Sequence, residues 1–187
     1  FTFTGVRAVS QAIGEYARSQ VPRARERGVV VGYDTRFLSE AFAAQVARVL
    51  AAQGIRVLLC ERDTPTPVVA HEILRRRAAG GVIVTGGHHP PEYNGIKVSA
   101  AWGGPAPLEA RQHIQERANA LLQGPRVAEM AQAEAEERGL IERINPRDAY
   151  LERLRSLVSL ETIREAHLKV VVDPLYGSAQ GYLDTLL

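Results

Sequence analysis

Several things are scarce in this sequence, and each scarcity excludes something. One cysteine stands among 187 residues, so no intrachain disulfide can form and a disulfide-stapled scaffold is ruled out. That residue, Cys60, closes an apolar run, where a thiol reads as a small buried side chain. No uninterrupted apolar stretch approaches the ~20 residues that a helix needs to cross a bilayer. Charge of one sign is missing too: 23 Lys+Arg oppose 21 Asp+Glu, a formal net charge of +2. No basic block is longer than Arg75-Arg76-Arg77, so neither a nucleic acid nor a membrane surface is expected as a partner. That triplet closes a helix and answers its dipole. A signal peptide is not written at the start, where Arg7, Glu15 and Arg18 interrupt the apolar positions at helical spacing. A cytoplasmic protein fits this set of absences. There is no internal repeat and no low-complexity tract. An initiator Met is absent, and the chain stops at Leu187 inside an apolar helical pattern, so both ends read as cut.

What is present is an ordinary globular composition, 45% hydrophobic and 24% charged, arranged in alternating periods. Val6, Val9, Ile13 and Tyr16 recur at helical steps after Thr4, a candidate N-cap. Val29-Val30-Val31 is a short β-branched run opened by Gly28, the mark of a buried strand. A helix from Ser39 carries Phe42, Val46, Val49 and Leu50 on one face and ends near Gly54. Ile55 to Cys60 reads as the next strand. Thr66-Pro67 opens another helix, with Thr66 as N-cap, through Val69, Ile73 and Leu74. Gly80-Gly81 closes it, and Val82-Ile83-Val84 follows as a third strand. Ile96-Lys97-Val98 reads as a fourth, antiparallel at an edge.

Pro107 to Leu122 is a further amphipathic helix, Val127 to Arg138 a solvated one. Trp102, between Ala101 and Gly103, reads as a packing residue and not a sugar platform. Asn145-Pro146 caps a helix carrying Tyr150, Leu151, Leu154 and Leu157. A charged connection from Glu161 to His167 precedes Lys169-Val170-Val171-Val172-Asp173, which reads as a fresh strand. The fold class predicted is α/β: a mixed, mostly parallel sheet of about four strands between helices, with the first strand of a second similar domain at the C-terminus. The domain plan is 1–145 for the first domain, 146–167 for a connecting helix and 168–187 for the start of the second.

In a parallel sheet of this kind the functional loops collect at the carboxyl ends of the strands. Those loops begin at Tyr33, Glu61 and Thr85. The third, Thr85-Gly86-Gly87-His88-His89-Pro90-Pro91-Glu92-Tyr93-Asn94-Gly95-Ile96-Lys97, is the most unusual segment. Glycine-rich backbone at a strand end lets N–H groups approach an anion closely. His88 and His89 can donate to a phosphate and Lys97 can reach it as a point charge. Two rival readings stand beside this one. The loop can be a rigid turn whose polar groups face water. A metal site on His88, His89 and Glu92 is the weaker rival, because consecutive residues in an extended loop point to opposite sides. Arg36 ends the first loop, where a guanidinium can hold phosphate or carboxylate bidentately. Asp34 is suited to tie that loop together.

The segment resembles the active-site loop of the α-D-phosphohexomutases, whose usual form is T-A-S-H-N-P-P-E-Y-N-G-I-K. Thr85, His88, Pro90, Pro91, Glu92, Tyr93, Asn94, Gly95, Ile96 and Lys97 stand where that pattern asks. Val31-Gly32-Tyr33-Asp34-Thr35-Arg36 with Leu38-Ser39 resembles the family's first strand–loop–helix element. Asp63-Thr64-Pro65-Thr66-Pro67 resembles its next crossover. Asp148-Ala149-Tyr150-Leu151 and Val171-Val172-Asp173-Pro174-Leu175-Tyr176-Gly177 resemble the passage into its second domain.

The resemblance implies a sugar-phosphate mutase of the phosphoglucomutase/phosphomannomutase type. Such an enzyme moves a phosphoryl group between C1 and C6 of a hexose phosphate such as glucose or mannose phosphate, by way of a hexose bisphosphate. A phosphorylated serine in the loop donates the group and recovers one, and its phosphate joins three second-domain aspartates around Mg²⁺. Carried onto this sequence, the catalytic positions are Gly87, His88 and Lys97, and the substrate- or phosphate-binding positions are Arg36, Gly86, His89 and Asn94.

The sequence departs from the pattern at three places: Gly86 stands for the alanine, Gly87 for the serine and His89 for the asparagine. Glycine offers no oxygen to phosphorylate. By the resemblance, position 87 is the only metal-site position within the chain, and its side-chain ligand is lost. Thr85 is the nearest hydroxyl. A catalytically inactive relative that binds sugar phosphate or a protein partner is the alternative implied; an unrelated α/β phosphate-binding domain is a second. These residues alone are expected to be inert. The oligomeric state is left open.

Overall fold

The computed structural model describes residues 1–125 and 127–187. In chain order it runs α1 (Phe3–Gln20), α2 (Ala24–Arg27), β1 (Val29–Tyr33), α3 (Ser39–Ala52), β2 (Val57–Cys60), α4 (Thr66–Arg76) and β3 (Gly80–Val84). There follow β4 (Ile96–Ala100), α5 (Leu108–Leu122), α6 (Gln132–Glu137), β5 (Ile141–Ile144), α7 (Arg147–Leu157), α8 (Leu160–Glu165) and α9 (Leu183–Leu186). The strands form one five-stranded sheet in the order β4-β3-β1-β2-β5. β1 pairs in parallel with β2 and β3, and β2 with β5, whereas β3 and β4 are antiparallel.

β1, β2 and β3 are buried along their whole length, as strands covered by helices on both faces must be. Alternate side chains divide between two cores. Val29, Val31, Leu59, Val82 and Val84 pack with residues of α1, α3 and α5. Val30, Leu58, Cys60 and Ile83 pack on the opposite face with Val69 and Ile73 of α4. Sheets of this kind turn their C-terminal loops toward one edge, and here that edge receives the segments after Tyr33, Cys60 and Val84. Among the described residues no helix is long and apolar enough to cross a membrane.

Several local expectations are corrected. The fifth strand, β5, is additional to the four expected; Ile141 and Ile144 are buried and Glu142 meets Arg56 and Arg76 across it. α1 is capped by Thr2, whose Oγ1 accepts from Gly5 N at 3.2 Å, and not by Thr4. Pro65 is the N-cap of α4, with Thr66 already helical. That helix ends on Arg77 in the left-handed region (φ 53°), and Gly80-Gly81 belongs to β3. The solvated helix shortens to α6, with residues 127–131 outside it; residue 126 lies outside the described residues. The connecting helix 146–167 is two helices, α7 and α8.

The expected strand at 169–173 is not formed. A strand needs a neighbour for its N–H and C=O groups, and no ladder engages these residues; Val171 is 93% exposed. The C-terminal segment is instead held near Tyr182, which packs with Val68 and Leu151. Arg147 fastens it, donating from Nε to Gly181 O at 2.6 Å and from Nη2 to Thr185 Oγ1 at 2.7 Å.

Candidate functional site

The turn that leaves β1 is built on Asp34. Its Oδ1 accepts from Arg36 N at 3.0 Å and from Ser39 Oγ at 2.8 Å, which closes the turn onto the first residue of α3. Leu38 takes the left-handed region (φ 61°) to make this approach, a conformation a non-glycine residue adopts at a cost. Phe37 is left 83% exposed beside the cleft.

The loop that leaves β3 is a self-bonded turn. Thr85 N donates to Gly95 O (2.9 Å), Gly87 N to Thr85 Oγ1 (3.0 Å), His89 N to Gly86 O (3.2 Å) and Tyr93 N to Pro90 O (3.1 Å). The His89 and Tyr93 rings lie with centroids 5.5 Å apart. Asn94 ties the returning strand to the first turn: Nδ2 donates to Ser39 Oγ at 2.9 Å, and Oδ1 accepts from Gly95 N at 2.9 Å.

Gly87 has φ +59°, the region glycine favours, and is exposed. A β-carbon there would sit 3.4 Å from Lys97 Nζ. Lys97 projects from β4 and forms no ion pair among the described residues. The loops after β1 and β3 thus frame a cleft of about 710 Å³. Thr35, Thr85, Gly87 and His89 line it, and the C-terminal segment adds Tyr176 and Ser178.

Two sequence expectations do not match this arrangement. Arg36 is expected from its loop position to hold an anion, but its guanidinium faces Asp34 and the loop's carbonyls. Asn94 is likewise expected as a ligand, yet its amide is committed to Ser39, Phe37 and Gly95. Lys97 lies beside position 87, its Nζ 3.4 Å from where a β-carbon there would sit. Sequence reasoning misses Thr64, Thr66, Tyr176 and Ser178 as cleft residues. Gly177-Ser178 follows a Pro-Leu-Tyr turn, and that signal is legible only as a landmark.

Two buried groups at the carboxyl ends of β1 and β2 are poor acids. Burial pushes the Tyr33 phenol up to about 12, helped by the nearby carboxylates of Glu40 and Asp63. Burial likewise raises the Cys60 thiol to about 12, so it is no nucleophile at neutral pH. Among the described residues no three His, Cys, Asp or Glu side chains converge as a metal-binding set. The residues in hand therefore do not fit Mg²⁺ by themselves, and Asp34, the carboxylate on the cleft, is already engaged. A second hollow, about 850 Å³ and apolar, lies between α1, β4 and α5, lined by Phe1, Val9, Val98 and Ile114. It adjoins the cleft: Lys97 lines it, and Thr66 and Ile83 line both.

A mostly parallel sheet covered by helices, with a glycine-rich turn and Lys97 at its carboxyl edge, defines an α/β domain. Residues 1–124 match the family model of phosphoglucomutase/phosphomannomutase, alpha/beta/alpha domain I. A phosphoglucomutase of Komagataeibacter xylinus is 30% identical over 198 residues, covering 100% of this chain and 35% of its own length. A solved structure from Thermus thermophilus, provisionally designated a phosphomannomutase, is 33% identical with a TM-score of 0.72, covering 87% of this chain and 34% of its own. The open form of the Paramecium phosphoprotein parafusin reaches a TM-score of 0.78 over 97% of this chain and 37% of its own, at 17% identity, a likeness of fold alone. The chain belongs to the phosphoglucomutase/phosphomannomutase family. It spans about a third of the length of the relatives it matches.

Proposed function

We propose that this chain is the phosphate-seating domain of a sugar-phosphate mutase that shifts a phosphoryl group between C1 and C6 of a glucose- or mannose-type hexose phosphate. In this reading residues 1–145 are the first domain, 146–167 the connection and 168–187 the opening of a second. The seat is the Gly86–His89 turn, where the His88 amide has no acceptor among the described residues, with the His88 and His89 side chains and the Lys97 ammonium. Lys97 carries the reading: its Nζ lies 3.4 Å from where a side chain at position 87 would begin, so a phosphate held there meets a full positive charge. Hexose phosphate and hexose bisphosphate are the ligands this seat suits. Phosphoryl transfer rests on positioning and charge neutralisation from every part of the site, and this segment supplies one part. Magnesium is implied by family membership alone.

A second reading is favoured by a specific observation. Gly87 offers no oxygen to receive phosphate, and its φ of +59° is one a serine adopts only under strain. A relative that binds sugar phosphate without turnover fits this as well as an enzyme whose phosphate is carried elsewhere. Thr85 is a poor substitute carrier, since its hydroxyl oxygen accepts from Gly87 N. The test is mutase activity of the full-length protein that contains this chain, as written and with Gly87→Ser. The proposal expects activity, with a phosphorylated loop, in the serine variant and none above background with glycine. Inactivity of both would leave the non-catalytic relative as the reading.

A further inference from the structure

Arginine beside a glycine-rich loop is ordinarily read as an anion ligand. Here every direction of the Arg36 guanidinium is occupied by protein. Nη1 donates to Pro90 O (2.6 Å) and Tyr93 O (3.0 Å), and Nη2 to Gly87 O (2.8 Å) and His89 O (2.7 Å). Nε faces Asp34 Oδ2 at 3.2 Å, and the side chain is only 14% exposed. A guanidinium has five N–H bonds and no further donor to offer, and its charge is met by the Asp34 carboxylate. We propose that Arg36 is a positioning residue: it shapes the Gly86–Tyr93 turn by gathering four of its carbonyls, it does not touch the anion, and Gly86 is what admits it.

The carbonyls it gathers determine where the amides point. A trans peptide sets the next residue's N–H opposite the C=O. With Gly87 O on the guanidinium, His88 N–H is turned away from it, and no described residue accepts from that amide. Prolines at 90 and 91 carry no N–H, and the Gly87 and His89 amides are taken by Thr85 Oγ1 and Gly86 O, so the His88 amide and the Lys97 ammonium are among the donors left beside position 87. Gly86 makes the arrangement possible. A β-carbon at 86 would lie 2.6 Å from Arg36 Cζ, 2.7 Å from Nε and 2.7 Å from Tyr93 O. One of those neighbours is backbone, so a rotamer change alone does not relieve the clash, and a side chain at 86 must shift the guanidinium, the Tyr93 carbonyl or both.

The test needs no anion for its first arm, so it stands or falls separately from the phosphate-seating reading. In the ¹⁵N-labelled chain the Arg36 Nη protons should be resolved and slow to exchange. Arg36→Lys keeps the charge but cannot span four acceptors. Both it and Arg36→Ala should speed exchange of the His89 and Tyr93 amides about tenfold or more, with the Val30 and Ile83 amides still protected to show an intact sheet. Gly86→Ala, with arginine retained, should do the same. In the second arm, inorganic phosphate added to the unsubstituted chain should leave the Arg36 Nη signals in place. Wild-type loop protection in Arg36→Lys, or Arg36 Nη signals that move with phosphate, would overturn the proposal and make Arg36 an anion ligand. Should the arginine variants unfold, the Gly86→Ala exchange data and the Arg36 signals decide alone.

Discussion

β3 and the turn that leaves it are adjacent in sequence and ordered by different physics. From Gly80 to Val84 the chain is buried and laddered on both sides; from Gly87 to Tyr93 it is exposed and carries almost no apolar packing. Burial orders the strand through many weak contacts, none of which is individually decisive. The turn depends on a guanidinium, a carboxylate and a few glycine conformations, so single substitutions there should alter shape and ligand binding far more than global stability.

The largest expected effect lies in the strand. Ile83 is 1% exposed, and Ile83→Ala should cost about 2–5 kcal/mol in the cavity it leaves, read as a lower denaturant midpoint. A cost below about 1 kcal/mol would break the contrast, because the strand would then be no more demanding than the turn.

Next comes the acid limb of stability, which should belong to the sheet and its helices. Burial raises the Glu72 carboxyl, but the hydrogen bonds and charges of Arg75 and Arg76 outweigh it and hold it below the usual range. Glu142 follows the same balance with Arg56 and Arg76, and Glu15 is lowered chiefly by its hydrogen bond from Arg117. These groups are depressed in the folded state. Their contribution is therefore complete above the unfolded value of about 4.3 and is lost as pH falls through the folded values. Thermal midpoints should be level from neutral pH down to about 5 and fall below about 4.5, with a shallower fall in Glu72→Gln. An acid limb unchanged by that substitution would remove Glu72 from the account.

Gly87→Ser should cost about 1–2 kcal/mol, the penalty of a left-handed residue with a side chain, since a β-carbon there meets only Lys97. No measurable cost would mean the turn adopts another conformation. Smallest of all, His88→Ala should change stability by less than about 0.5 kcal/mol, as an exposed residue with no side-chain partner among the described residues, while weakening phosphate binding. A larger loss of stability would show that the turn supports the fold after all.

Strands of Val, Ile and Leu bounded by glycine are legible because burial on both faces leaves a continuous apolar run, and the parallel core of the sheet follows from that. β5 is not, because Ile-Glu-Arg-Ile is short and half polar; it reads as strand only once Glu142 is seen facing Arg56 and Arg76. The turn at Thr85 stands out by composition, and Lys97 does lie beside position 87. The roles of Arg36 and Asn94 are illegible for a physical reason. Sequence shows that a residue can donate hydrogen bonds, not which carbonyl or hydroxyl takes them up first. The same limit applies to the segment after Lys169, whose apolar run predicts a strand but whose partner is not among the described residues.

The most direct test is a titration of the ¹⁵N-labelled chain with glucose 6-phosphate, with inorganic phosphate in parallel. Amide shifts should concentrate at Gly86 to His89 and at Lys97, saturating weakly because the remaining length of the relatives is not in this chain. Inorganic phosphate should move the same amides. Shifts centred on Phe1, Val98 and Ile114 in the apolar hollow, or no shift at the turn, would contradict the claim that this loop seats phosphate.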